Sequence, residues 1–325
     1  MAQNSLEGKA ALICGSVAYD TILQFPDRFK AHILPDKIHI LNVSFLVPDM
    51  RREFGGCAAN IAYSLNLLGD KALPMATAGH DFAPYRDHLV AQGVNIDHIR
   101  VLDDSFTAQA FITTDLDDNQ ITAFHPGAMQ RAHLNKVADA GPGIALGIVA
   151  PDGREAMIEH AAQFAQARIP FIFDPGQGLP MFGAEELKTF IGQARWVTVN
   201  DYEWGLLQQK TGFTVSDITA QVDALVITRG AEGSTIYAQG RTLSVPCART
   251  AALVDPTGCG DAYRAGLIHG LLRGLDWETT GRIASLMGAI KIESRGPQNH
   301  AVDRAQFERR YRDNFGQMDT SRNSP

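Results

Sequence analysis

The second half of the chain shows short apolar runs that alternate with longer stretches of helical spacing. The runs are rich in β-branched and aromatic residues, which favours strands. They cover residues 144–150, 169–174, 196–200 and 224–228. Alternation of this kind predicts a parallel sheet that is covered by helices on both faces.

The N-terminal part of the chain has a different pattern. An apolar run at 11–14 predicts a buried strand that ends at Gly15-Ser16, shortly before Asp20. Three prolines then interrupt the segment that runs to residue 50. We expect the apolar stretches between these prolines, such as 38–47, to form strands outside the main sheet.

Two further runs, 108–114 and 120–124, have the composition of strands. The residues between them, 115–119, are acidic or carry amides apart from one leucine, which is typical of a hairpin turn. We assign this hairpin to the same accessory sheet.

Two helices are predicted to begin at glycine-rich segments. The first follows Gly55-Gly56 and shows helical spacing of apolar residues over 61–68. The second begins near Asp261, after another pair of glycines. The polar end of the chain, 303–325, is predicted to form a helix followed by a frayed tail.

Composition narrows the class of protein. The chain has 325 residues, of which 45% are hydrophobic and 20% charged, which fits one α/β domain with an appended sub-domain. The net charge of -7 argues against binding nucleic acid through a broad basic surface. No leader and no run of about 18 apolar residues is seen, so we expect a cytoplasmic protein with no membrane contact. Four widely spaced cysteines indicate neither a disulfide framework nor a structural zinc site: Cys14, Cys57, Cys247 and Cys259.

The run Asp255-Pro-Thr-Gly-Cys-Gly-Asp261 carries the clearest chemical signal. Its glycines allow the backbone amides of 258–261 to face an anion at a helix N-terminus, where the helix dipole favours negative charge. A carboxylate at such a place is suited to removing a proton from an attacking hydroxyl. Asp is also a preferred N-cap, so Asp261 alone could be structural. The run is neither a dinucleotide-binding nor a P-loop motif.

The same run resembles the C-terminal signature of the PfkB/ribokinase family, with Pro256 as a variation seen in its adenosine-kinase-like branch. Gly55-Gly56, followed by Asn60, resembles the family's other signature, and the likeness extends over about 10–297. Further segments look like bacterial adenosine kinases and broad-specificity purine nucleoside kinases: 15–20, 122–128, 174–177 and 200–204.

The resemblance implies a role for each residue of the glycine-rich run. Asp261 would be the base, while the amides of Gly258, Cys259 and Gly260 would hold the transferring phosphoryl group. Cys259 stands at a variable position of the motif. We therefore expect it to contribute its backbone amide and not a nucleophilic thiol.

A nucleoside site is implied by the same resemblance. Asp20, Gly56 and Asn60 would hold the ribose hydroxyls next to Gly55, and Phe124 would stack on the base. The alternatives are that Asn60 caps its own helix and that Phe124 is a core residue.

Ser16 and Gln177 would lie nearby in the nucleoside pocket, or serve as ordinary turn residues. Some adenosine kinases have a second aromatic residue where this chain has Ala110. That difference argues against strict adenosine selectivity.

ATP and metal ions are the other implied ligands. Asn200 and Glu203 resemble an element that organises Mg²⁺ and the phosphates of ATP, largely through water. The structural alternative is a strand end followed by a capped helix. Asp255, with the backbone of 294–296, resembles a loop that holds a monovalent cation such as K⁺. Residues that resemble the segment along which ATP lies are Thr228, Gly230 and Gly233.

We therefore expect a ribokinase-like α/β fold with three layers, a mainly parallel central sheet and a small β-sheet lid. The predicted large domain comprises 1–20, 49–106 and 127–325, and the lid comprises 21–48 and 107–126. A pair of arginines, Arg51-Arg52, is expected to be solvated at a loop, with substrate or phosphate charge as an alternative partner.

The predicted activity is ATP-dependent phosphorylation of a purine nucleoside, above all adenosine, at the 5′-hydroxyl, with Mg²⁺. One alternative is a sugar kinase of the same family, although typical ribokinases carry Lys where this chain has Cys57. The other is a non-catalytic nucleoside-binding protein, which would not need a base. Exposed lid strands suggest a homodimer.

Overall fold

The computed structural model describes residues 10–33, 39–40, 42–117 and 119–318, which form two β-sheets and the helices around them. The larger sheet has nine strands in the order β13-β12-β11-β10-β9-β8-β1-β4-β5. Its strands are β1 (Ala10–Cys14), β4 (Lys71–Gly79), β5 (Ile99–Leu102), β8 (Ile144–Val149), β9 (Phe171–Phe173), β10 (Trp196–Asn200), β11 (Ala224–Thr228), β12 (Ser234–Ala238) and β13 (Arg241–Val245). Strands β5 to β11 in this order are parallel, and β12 and β13 extend the sheet as antiparallel strands.

The helices cover both faces of this sheet, as the alternating pattern predicts. They are α2 (Cys57–Leu67), α3 (Ala83–Ala91), α4 (Arg154–Ala167), α5 (Ala184–Gln193), α6 (Asp201–Thr211), α7 (Val215–Thr219), α8 (Cys259–Arg273) and α9 (Trp277–Ile292). Two further helices are α1 (Phe29–His32), where the Phe29 N–H donates to Asp115 Oδ2 at 2.9 Å, and α10 (Arg304–Phe315). Alternate residues of β1 enter different cores. Ala11 and Ile13 share a core with α2, α3, α8 and α9, while Leu12 and Cys14 share one with α4 to α7. Helix α10 packs on α9.

The smaller sheet has four strands in the order β3-β2-β6-β7. They are β2 (Ala18–Gln24), β3 (Asp49–Gly55), β6 (Ala108–Thr114) and β7 (Gln120–His125). Strand β2 pairs in parallel with β6, whereas β3 and β7 are antiparallel edge strands. The predicted hairpin of β6 and β7 is thus confirmed, and one residue of its turn, Asp118, lies outside the described residues.

The strand expected within 38–47 is not found among the described residues of that range, which leave out residues 38 and 41. Residues 42–47 have no regular structure, and the second accessory strand is instead β3 at Asp49–Gly55. This strand was missed because it is a partly exposed edge strand with four charged residues and no apolar run. The small sheet therefore begins before residue 21 and extends past residue 48, beyond the predicted lid boundaries. The division into a large domain and a lid stays a prediction.

The predicted strands 196–200 and 224–228 are confirmed as β10 and β11. Helix α10 agrees with the polar C-terminal helix, and the predicted tail beyond residue 318 lies outside the described residues. In the described part of the chain, the structure has no helix of the length and apolarity that crossing a membrane requires.

Candidate active site

The polar residues of the site follow the carboxyl ends of parallel strands. Ser16 follows β1, Asp174 follows β9, and Asn200 and Thr228 end β10 and β11. Because parallel strands all end at the same edge of a sheet, these residues lie along one edge. This is the edge at which open α/β sheets bind their ligands.

The first turn of α8 offers backbone N–H groups to an anion. Gly258, its N-cap, has a φ of 81°, and a Cβ there would lie 2.8 Å from Pro297 Cβ. Glycine is therefore required by both conformation and space. In the described part of the chain, the N–H groups of Gly258 and Gly260 have no hydrogen-bond partner. The Cys259 N–H was expected to face the phosphoryl group, but it donates to the Pro256 carbonyl oxygen at 3.1 Å.

Asp261 lies in the same turn and is held by Asn60 of α2. Asn60 Nδ2 donates to Asp261 Oδ2 at 2.8 Å. The oxygen of the Asn60 amide accepts a hydrogen bond of 2.8 Å from Nε2 of the buried Gln298. Gln298 thereby fixes which end of the Asn60 amide faces the carboxylate. The alternative that Asn60 caps its own helix is not observed, since the N-cap of α2 is Gly56 and has no side-chain cap.

The environment of Asp261 makes its carboxylate a better base. Burial raises the pKa of Asp261 to about 6, and the negative charge of Asp174 acts in the same direction. The Asn60 hydrogen bond and the positive charge of Arg264 oppose the increase. The group is therefore ionised at neutral pH, yet has a higher proton affinity than an exposed Asp.

Arg264 and Asp174 form a buried ion pair beneath this turn. The guanidinium donates two hydrogen bonds of 3.0 Å, from Nε and Nη2, to the two oxygens of Asp174. Burial alone would lower the pKa of Arg264, but Asp174 more than offsets it and raises that pKa. The pair fastens α8 to the end of β9 one turn after Asp261. Neither residue was assigned a role from the sequence, although an arginine among the apolar residues of α8 is an available signal.

Asn200 and Glu203 form a capping box at the start of α6, which was the structural alternative. Asn200 Oδ1 accepts from the Glu203 N–H at 2.7 Å, and Glu203 Oε2 accepts from the Asn200 N–H at 2.8 Å. Burial and the charge of Asp174 raise the pKa of Glu203. Its carboxylate thus lies close enough to the Asp174 region to add negative potential there. A role of the two residues around Mg²⁺ stays a prediction.

A second set of residues lies on the small sheet. Asp20 on β2 pairs with Ala110 on β6, which pairs with Phe124 on β7. Directly paired residues point to the same face, so a carboxylate and an aromatic ring share one face with only a methyl group between them. Phe124 is 49% exposed and is therefore not a core residue.

Asp20 is also close to the loop before α8. Burial raises its pKa to about 6, with further contributions from the negative charges of Glu53 and Asp255. Glu53 Oε2 accepts a hydrogen bond of 3.1 Å from Asn299 Nδ2, which brings β3 to the segment after α9. The Asp20 carboxylate on the small sheet and the loop that leads into α8 therefore border the same region.

The predicted pocket residues around β1 have different surroundings. The Ser16 hydroxyl accepts from the Cys57 N–H at 3.1 Å and thus binds the start of α2. A Cβ at Gly56, where φ is 91°, would lie 2.6 Å from the Ser16 carbonyl oxygen. A Cβ at Gly55 would lie 2.5 Å from Asp20 Oδ2. The two glycines let the chain pass close to β2, whereas Gln177 lies exposed in the 3₁₀ helix Gly176–Met181.

The residues predicted to contact ATP surround the end of β11. Thr228 ends the strand, Gly230 begins a 3₁₀ turn with a φ of 53°, and Gly233 has a φ of 86°. A Cβ at Gly233 would meet the backbone of 245–247, while space at Gly230 is open. Gly233 thus serves chain packing, and Gly230 borders an open region.

Asp255 anchors the loop that leads into α8. Its carboxylate accepts 2.9 Å hydrogen bonds from the N–H groups of Thr257 and Gly296. Burial would raise its pKa, but these bonds and Lys291 lower it. Its carbonyl oxygen accepts from Lys291 Nζ at 2.7 Å. Lys291 was assigned no role from the sequence, although a lysine between two isoleucines near the end of a buried helix is a signal.

The arginine pair lies on β3 and not at a loop as expected. Arg51 Nε lies 3.4 Å from Glu53 Oε1, and the Arg52 guanidinium carbon lies 4.9 Å from the centre of the Tyr19 ring. Both arginines therefore have partners within the small sheet.

Comparison with known proteins identifies the family. Residues 30–304 match the model of the pfkB family of carbohydrate kinases. A nucleoside kinase of Methanocaldococcus jannaschii is 31% identical over 261 residues, which cover 80% of this chain and 85% of that protein.

Solved structures agree with this result. The structure of Burkholderia thailandensis nucleoside kinase in complex with inosine has a TM-score of 0.86 and 52% identity, covering 95% of this chain and 99% of that one. The Methanocaldococcus jannaschii nucleoside kinase structure has a TM-score of 0.85 at 28% identity, covering 94% and 98%. The predicted fold is thereby confirmed. The chain belongs to the pfkB family of carbohydrate kinases, has the ribokinase-like α/β fold, and is an ATP-dependent kinase.

Proposed function

We propose that the protein transfers the γ-phosphate of ATP to the 5′-hydroxyl of a purine nucleoside, giving the nucleoside monophosphate and ADP. Adenosine is our first candidate for the acceptor, followed by inosine and guanosine. The similarity to the Burkholderia thailandensis enzyme, solved with inosine, supports a purine nucleoside as the class of acceptor.

The row Asp20, Ala110 and Phe124 is the observation that carries the choice of acceptor. A nucleoside has a ribose diol at one end and a flat base at the other. A carboxylate suits the diol, an exposed ring suits the face of the base, and the small Ala110 leaves room between them. A simple sugar would use the carboxylate but leave the Phe124 ring without a partner.

The chemistry follows from the first turn of α8. Asp261 takes the proton of the 5′-hydroxyl as that oxygen forms a bond to the γ-phosphorus. The bond from this phosphorus to the β–γ bridging oxygen breaks, and ADP leaves with the electron pair. The N–H groups of Gly258 and Gly260, which have no partner in the described part of the chain, stabilise the charge on the transferring group.

Mg²⁺ and ATP bind beside this turn in our proposal. The partly buried Glu203 carboxylate and the Asn200 amide carry oxygens at the same sheet edge, and both are engaged in the capping box. This arrangement fits a hydrated Mg²⁺ that is held through water better than one bound directly. When bound, Mg²⁺ supplies neutralisation of the phosphate charge. Thr228 and Gly230 border the open region in which ATP would lie.

A panel of acceptors tests the proposal. Adenosine, inosine, guanosine, cytidine, ribose and fructose are each incubated with ATP and Mg²⁺, and ADP formation and the phosphorylated product are measured. We expect the purine nucleosides to show the highest kcat/KM. Turnover of ribose or fructose with inert nucleosides would establish the sugar-kinase alternative instead.

A further inference from the structure

A lysine ammonium lies directly behind the loop that precedes the catalytic turn. Lys291, one residue before the end of α9, has no solvent exposure. Its Nζ donates to the carbonyl oxygen of Asp255 at 2.7 Å and to that of Ser294 at 3.0 Å. A buried ammonium that donates its hydrogen bonds to two main-chain carbonyl oxygens is unusual. Removing an ammonium from water costs free energy unless the charge is well paired.

The charges around this ammonium are negative. Burial lowers the pKa of Lys291, and the negative charges of Asp255 and Glu53 oppose that change. The carboxylate of Asp255 accepts hydrogen bonds from the N–H groups of Thr257 and Gly296. The ammonium of Lys291 binds the carbonyl oxygen of Asp255 instead. Lys291 is thus a fixed positive charge surrounded by backbone oxygens and acidic groups.

This position bears on the phosphate-binding turn. Asp255 starts the loop that reaches Gly258 within three residues, and its own N–H is hydrogen-bonded to the Ile292 carbonyl at 3.1 Å. The loop is therefore attached to the end of α9 by the Asp255 N–H and carbonyl, and to Gly296, beyond that helix, by the Asp255 carboxylate. Polarising the Asp255 carbonyl from behind favours a fixed loop geometry and adds positive potential close to the anion site.

A potassium ion does not fit these surroundings. The resemblance to the ribokinase family implies K⁺ held by Asp255 and the backbone of 294–296. In this structure the carbonyl oxygens of Asp255 and Ser294 already accept hydrogen bonds from Lys291. These oxygens are thus already engaged and would not serve as ligands of an added cation. The ammonium would also repel such a cation.

We infer that the Lys291 ammonium is a tethered cation that replaces K⁺, so that this kinase works without a monovalent cation activator. Lys291 is a positioning residue, since it acts through the Asp255 loop and does not touch the substrate. The inference rests on the proposed phosphate-binding role of Gly258 and Gly260.

The native enzyme provides the first test. We would measure kcat/KM in K⁺, Na⁺ and tetramethylammonium salts at one ionic strength, with dialysed protein and ATP. We expect the same value in all three salts. A stimulation by K⁺ of about tenfold or more, equivalent to ~1.4 kcal/mol of barrier, would overturn the inference. Absence of turnover in every salt would instead count against the proposed function.

Two variants provide the second test. Lys291→Ala removes the charge and opens space, so we expect kcat/KM to fall in tetramethylammonium and to recover partly in K⁺ or NH₄⁺. Lys291→Met removes the charge but fills the space, so we expect a loss that no cation restores. The inference fails if Lys291→Met keeps the native kcat/KM, or if no small cation restores a folded Lys291→Ala.

Lys210 offers a matched control elsewhere in the fold. Its Nζ also donates to two backbone carbonyls, those of Pro180 at 3.0 Å and Phe182 at 2.7 Å. Lys210→Met should lower thermal stability without creating a cation dependence. Circular dichroism and Tm, recorded with and without K⁺, report whether each variant is folded. If Lys291→Ala does not fold, the salt comparison on the native enzyme decides the question.

Discussion

Asn60 on α2 donates a 2.8 Å hydrogen bond to Asp261 on α8, and so joins the two glycine-led helices at the proposed site of proton transfer. Asn60 binds only one of the two carboxylate oxygens, Oδ2. This bond orients the carboxylate, and we propose that Oδ1 accepts the proton of the substrate hydroxyl.

Replacing Asp261 by Asn should lower kcat by roughly 10²-fold or more, because the variant keeps the shape of the side chain but loses the base. Steady-state ADP release measures the effect. Glu185→Gln is a matched control: this residue is an exposed carboxylate in the first turn of α5, so its loss costs a similar helix-dipole interaction. We expect the control to keep its kcat, and an Asp261→Asn enzyme that did so as well would exclude Asp261 as the base.

The pH dependence of kcat/KM should report the raised pKa of Asp261. The base must be ionised to act, so kcat/KM should be constant at neutral pH and fall as the pH drops through about 6. An exposed Asp would give this fall nearer pH ~4.

Asp20 has a pKa raised to a similar value, so it must be distinguished from Asp261. Asp20→Asn should raise the KM for the nucleoside but leave the acidic limb of kcat/KM in place. Disappearance of that limb in Asp20→Asn would assign it to Asp20, contrary to our expectation.

Gly258→Ala should impair both folding and catalysis. The residue has a φ of 81°, and its new Cβ would lie 2.8 Å from Pro297 Cβ. We expect a loss of stability of about 1–3 kcal/mol from the strained backbone, and a fall in kcat of about 10²-fold from displaced N–H groups.

Gly274, the C-cap of the same helix, is the matched control for this glycine. Its φ is 63°, and among the described residues no atom outside its own helix and chain neighbours lies within 4 Å of the position that a Cβ would take. Gly274→Ala should thus cost a similar backbone strain but leave kcat unchanged. Thermal unfolding and kcat together separate the two effects, and equal kcat in both variants would contradict the proposed role of Gly258.

Phe124→Ala should weaken nucleoside binding. Stacking contributes about 1–3 kcal/mol per base, so we expect KM for the nucleoside to rise about tenfold or more. Phe111 is a matched control, because it is exposed on the same sheet but one residue away from Ala110, and so on the opposite face. A similar KM in both variants would show that the Phe124 ring does not stack on the acceptor.

The sequence predicted the parts of this fold whose signals are local. Strands β10 and β11 are continuous apolar runs, which burial on both faces of a parallel sheet requires. Glycines and an acidic residue mark the first turn of α8, so the start of this helix could be predicted from the sequence. The helix begins at Cys259, two residues before the predicted start. Strand β3 carries no such signal, since four of its seven residues are charged and a long connection separates it from its partner β2.

The site shows the same contrast. Asp261 and Gly258 stand in one short motif and could be recognised together. Gln298, Arg264 and Lys291 act through contacts with residues that are distant in sequence: Asn60, Asp174 and Asp255. Only the folded chain brings these partners together, so their roles could not be read from spacing.

The small sheet carries Asp20 and Phe124, while α8, packed on the large sheet, carries Asp261. In our proposal, choice of acceptor and transfer of phosphate therefore belong to different structural units. If these assignments hold, substitutions on one face of β6 and β7 should change which molecule is phosphorylated while the chemical machinery stays intact. In this architecture, a new substrate range requires no new mechanism.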